Sequence, residues 1–81
     1  MTLYNFKVIT TAVSGEVHIK ENSQFNKVEA DTVIVSENVT ARLYGTVKKS
    51  LVLKRGSVVV LHGRLHGNIN NEGGEFQNFD R

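Results

Sequence analysis

The chain repeats itself. Displaced by 18 residues, Val33-Ile34-Val35 falls on Leu51-Val52-Leu53, Asn38 on Gly56, Leu43 on Leu61, Gly45 on Gly63 and Val47 on Leu65. A third copy lies upstream at a spacing of 16, where Val17-His18-Ile19-Lys20-Glu21-Asn22 matches Val33-Ile34-Val35-Ser36-Glu37-Asn38. A weaker fourth copy begins at Ile69 and runs through Gly74 to Phe76. Self-similarity at a fixed short period is the mark of an array whose units stack because none can bury its apolar face alone.

Each unit reads as strand. Twelve of the 81 residues are Val, a β-branched residue that loses rotamer freedom in helices and packs well on a pleated surface. From Val33 to Leu65, eleven of the seventeen odd positions are aliphatic, while even positions carry Ser36, Thr40, Arg42, Thr46, Lys48, Lys54 and Arg64. That is a period-two pattern with one buried face. An even repeat preserves strand parity, so Val33 and Leu51 point inward together. The expected fold is all-β: a short single-stranded parallel β-helix, or solenoid, of three to four coils with an N-terminal capping strand. Gly45 and Gly63 would stack at one corner, and Asn38 and Gly56 at another, where Asn tolerates the left-handed region. The alternative is a small β-barrel, although antiparallel strands of unequal length would break the repeat.

These coils resemble a known family. Val-Ile-Val-x-x-Asn, Leu-Val-Leu-x-x-Gly-Ser and Leu-His-Gly-Arg-Leu-His-Gly-Asn-Ile look like the coils of bactofilins, polymer-forming bacterial cytoskeletal proteins. The resemblance covers roughly residues 16–76 and implies a right-handed parallel β-helix that polymerises end to end. The chain departs from the family in having fewer coils and no disordered Pro-rich or charged tails.

Length allows one domain, 1–81, with 1–14 as N-terminal strand and cap, 16–76 as coils and 77–81 as a C-terminal tail. No Cys is present, so disulfides and Cys-based zinc sites are excluded. No apolar run approaches the roughly 20 residues of a membrane span, and no basic segment precedes an apolar one at the N-terminus, so a cytoplasmic location is expected.

Chemistry is not expected. His62 and His66 have the spacing of a zinc helix, but in an extended strand four residues span ~13 Å and the Glu of a zincin is missing. Ser14, Ser23, Ser36, Ser50 and Ser57 lie in no nucleophile elbow. Glu16, Glu21, Glu29, Asp31 and Glu37 read as strand-edge or turn residues, and Gly73-Gly74 as a turn without the spacing or Lys of a phosphate loop. Neither an enzyme nor a cofactor is expected.

The surface is more informative. No acidic residue lies between Asn38 and Asn71, and Arg42, Lys48, Lys49, Lys54, Arg55 and Arg64 form a basic middle between two acidic ends. If odd positions face inward, Ile34, Val52, Val58 and Val60 face outward, with Ile34 stacked on Val52, Thr40 on Val58, Arg42 on Val60 and Tyr44 on His62. An apolar ladder rimmed by Arg and Lys suits protein contact. Tyr4, Phe6, Phe76 and Phe79 lie near the chain ends, where a solenoid must cover its open edges or use them. Tyr44, Phe76 and Phe79 therefore join the candidate interface. The expected function is a non-enzymatic structural module that binds itself. The alternative is a small partner-binding inhibitor, such as an immunity protein against a bacterial toxin. Nucleic-acid binding ranks third, since only Tyr44 offers a stacking ring among the basic residues.

Overall fold

The computed structural model describes residues 6–79. They form seven strands: β1 (Lys7–Ile9), β2 (Val13–Ile19), β3 (Ser23–Val35), β4 (Thr40–Leu53), β5 (Val58–Leu65), β6 (Asn68–Asn71) and β7 (Glu75–Asn78). Every pairing is parallel. The result is a β-solenoid of about four turns, and the uniformly parallel pairing excludes the antiparallel barrel.

Two sides of the coil carry most of the rungs. On the first, β1, the starts of β3, β4 and β5, and β7 stack in that order, giving five rungs. On the second, the end of β2, the ends of β3 and β4, and β6 give four. Residues 7–9 are thus the first rung of the array. Glu75–Asn78 is its last rung, so Gln77 and Asn78 are paired residues, opposite Val60 and Leu61. Asp80 and Arg81, like Tyr4, lie outside the described residues.

The offset is 18 along the whole of β4 against β5 and β6. Between β3 and β4 the same offset survives two compensating irregularities. Asn26 and Lys27 together oppose Tyr44, and Asp31 alone opposes Lys48 and Lys49. An added residue flips the side chains that follow it to the other face. Buried positions in β3 accordingly run Ser23, Phe25, then Val28, Ala30, then Val33, Val35. The missing residue at Asp31 restores parity before the chain reaches Val33.

Inward side chains form columns along the axis. Val17, Val33, Leu51 and Ile69 make one, Ile19, Val35, Leu53 and Asn71 a second, and Ile9, Phe25, Leu43, Leu61 and Asn78 a third. The interior members are buried, all but Phe25 fully so, each contributing roughly 2 kcal/mol of apolar burial. Lys49, an odd position in the alternating run, is exposed together with Lys48. A second bend of the coil lies there.

The main corner contains residues 20–22, 36–39, 54–57 and 72–74. Its backbone is tied rung to rung: the amides of Ser36, Lys54 and Glu72 donate to the carbonyls of Ile19, Val35 and Leu53 at 3.0, 3.0 and 2.7 Å. Asn38 and Gly56 both lie in the left-handed region, at φ 61° and 77°. In the shorter first corner, Asn22 Oδ1 accepts from the amide of Thr40 at 2.9 Å. Buried Ser23 and Ser57 each donate to a corner carbonyl, Glu21 and Lys54, at 2.7 Å. Gly45 and Gly63 pair in register inside long strands, where a Cβ on Gly63 would lie 2.9 Å from the Gly45 carbonyl carbon. Close backbone approach, more than a turn, is what excludes a side chain there.

Candidate interaction surfaces

The outward pairings follow the 18-residue offset: Ile34 opposes Val52, Thr40 Val58, Arg42 Val60 and Tyr44 His62. They do not form one ladder. Ile34 and Val52 sit on the second side, between His18 below and Asn70 above. Val58 and Val60 sit on the first side, beyond the 54–57 corner, with Glu75 and Gln77 stacked over them. All four are half-buried. The apolar surface is divided by a corner that side-chain parity alone does not reveal.

The basic residues are likewise distributed around the coil. Arg42 lies on the first side, Lys48 and Lys49 at the second bend, and Lys54 and Arg55 at the main corner. Arg64 stacks above Thr46 and Glu29. Lys54 Nζ lies 3.3 Å from Glu72 Oε1, and Arg42 donates to Gln24 Oε1 at 3.4 Å and stands over the Phe6 ring at 5.9 Å. A belt of charge around two coils makes a solvated surface with no single basic face.

Tyr44, His62 and Phe79 form an aromatic stack. Tyr44 and His62 are 4.5 Å apart at 8°, and His62 and Phe79 are 5.2 Å apart at 22°. His62 is therefore a stacking partner. His18 Nε2 donates to Glu16 Oε2 at 2.7 Å, which requires the tautomer protonated at Nε2. Phe76 points inward, above Val59, and packs on the core. Phe79 is half exposed.

The ends of the array complete the picture. Among the described residues, β1, β2, β6 and β7 each pair along one edge only. At the N-terminal end, Val8 faces outward at 54% exposure and Ile9 packs inward. The offset of 16 that sets Ile9 on Phe25 fixes this orientation. A depression of about 270 Å³ lies between β1 and the end of β2, floored by Ile9, Ile19 and Phe25 and rimmed by Lys7, Lys20 and Glu21. At the C-terminal end, Ile69 is 41% exposed although Leu51 below it is fully covered. A groove of about 440 Å³ lies beside Tyr44 where the Asn26-Lys27 bulge leaves space.

Comparison with protein-family models, curated proteins and solved structures found no match. The bactofilin resemblance rests on coil pattern alone, and the solenoid arrangement does not single out that family. No helix among the described residues is long and apolar enough to cross a membrane.

Proposed function

We propose that this chain is a non-enzymatic interaction module that binds further copies of itself through the ends of its solenoid, as its resemblance to bactofilins implies. The observation that carries the reading is the column Val17, Val33, Leu51, Ile69. Its two middle members are fully buried, and both terminal members are partly exposed on strands paired along one edge. An open strand edge with an uncovered apolar rung is a template for another strand. A small domain also gains disproportionately from association, because its own core is limited.

Size-exclusion chromatography with light scattering over a range of concentrations tests this. The expected mass exceeds the 9.0 kDa chain and rises with concentration. Val17→Glu and Ile69→Glu place a charge at one end each, and at least one should shift the protein toward monomer. Monomeric elution at the highest concentration would overturn the reading.

A further inference from the structure

The two sides of the coil end at different heights. The first has five rungs and the second four, because β7 adds a rung above β5 while nothing described adds one above β6. This bears on how a second copy could dock. If its β2 pairs with β6, its β1 must pair with β5, since β1 and β2 belong to one turn. That place is held by β7: Lys7 and Phe76 fall on the same column through Ser23, Ala41 and Val59.

From this we infer that β7 is a displaceable end cap, occupying the rung that β1 of another copy takes in a head-to-tail stack. The proposal rests on the reading of the chain as self-associating, and adds which strand limits it. Three observations support a cap. In the Leu61 column, β7 supplies Asn78 where β1 would supply Ile9, and polar residues at column ends mark capping repeats; in the Val59 column it supplies core-packed Phe76 where β1 would supply Lys7, which holds the cap closed until it is displaced. The strand is attached by one edge, with the amides of Glu75 and Phe79 donating to Ser57 and Leu61 at 2.8 and 2.7 Å. It also follows Gly73-Gly74, with Gly73 at φ 113°, a backbone conformation favouring Gly. Phe79 acts as the latch, holding the far end of β7 by stacking on His62.

The test compares one full-length chain with its cap locked or free. Val60 and Gln77 face each other across β5 and β7 on the outer surface, and the chain has no Cys, so Val60→Cys with Gln77→Cys forms a single removable disulfide. Light scattering should show smaller assemblies when the variant is oxidised than after reduction, by about twofold or more in mean mass. Two further variants should free the cap. Gln77→Pro lies midway between the two donating amides and cannot itself donate, while Phe79→Ala removes the latch. Both should assemble further than wild type, with circular dichroism checking that the strands persist. Equal assembly of the oxidised and reduced forms would overturn the cap while leaving self-association intact. Loss of assembly on reduction would also overturn it, by making β7 part of the contact. If every form, including Gln77→Pro, stays monomeric, both readings fail. Association of Gln77→Pro alone would support the cap and refute association of the wild type.

Discussion

The two ends of this solenoid finish the same columns with different chemistry. Toward the N-terminus, the Leu61 and Leu53 columns end in Ile9 and Ile19. Toward the C-terminus they end in Asn78 and Asn71. Asn71 is put to structural use, its Oδ1 accepting from the amides of Gly73 and Gly74 at 2.9 and 2.6 Å and its Nδ2 donating to the Gly74 carbonyl at 3.1 Å. The turn into the last rung is thus built from a residue that cannot extend the core. Among the described residues, only the Val17–Ile69 column keeps an apolar residue at both ends. One fold with one repeat can accordingly present an extendable face and a terminated face, and the difference lies in a few column-end residues.

Stability measurements can break this comparison. The largest effect belongs to the interior: Leu51→Ala should cost about 3 kcal/mol in urea unfolding, because Leu51 is fully buried between Val33 and Ile69. Ile69→Ala, in the same column but with nothing described above it, should cost no more than about 1 kcal/mol. Equal losses would mean that the C-terminal end is covered in solution.

A second pair compares the ends directly within one column. Ile19→Ala should cost about 2–3 kcal/mol, since that side chain is already 2% exposed in the first rung. Asn71→Ala should cost about 1–2 kcal/mol by stranding the amides of the Gly73-Gly74 turn. Its loss should leave the Leu53 rung folded and raise amide exchange at residues 72–75 first. Exchange rising uniformly along the chain would show that the last corner is not a separate unit.

The smallest expected effect is at Lys54. Its ion pair with Glu72 joins two exposed side chains, so Lys54→Ala should change unfolding free energy by no more than about 0.5 kcal/mol and should lose that effect in high salt. A larger change would give the basic belt a structural role that its geometry does not suggest.

Much of the fold is legible in the repeat. Because strand parity has period two, an 18-residue offset fixes which residues of β4, β5 and β6 share a column, and Ile34, Val52, Tyr44 and His62 are found where that offset puts them. What alternation cannot report is where the coil bends. Lys48 and Lys49 are consecutive and both exposed, and Asn26-Lys27 switches the face of everything from Val28 to Ala30. Val52 and Val60 are on different sides because of the 54–57 corner, which Asn38 and Gly56 do mark in the sequence. The last corner is a residue shorter, so Phe76 falls on Val59 at an offset of 17 and turns into the core. Column ends are hard to read for a different reason: Asn71 and Asn78 are unremarkable polar residues until the strand beneath them is known.

The rung-to-rung hydrogen bonds also decide how this chain responds to force. They link successive turns, with Lys7 in the first rung and Asn78 in the last. Tension applied between those two ends would load the bonds of one turn at a time, so the array peels turn by turn without a simultaneous shear of all its strands. Each 18-residue turn should release roughly 60 Å of chain. A pulling trace would then be a short series of similar low-force steps, a mechanical signature of the same spacing that first appears as a repeat in the sequence.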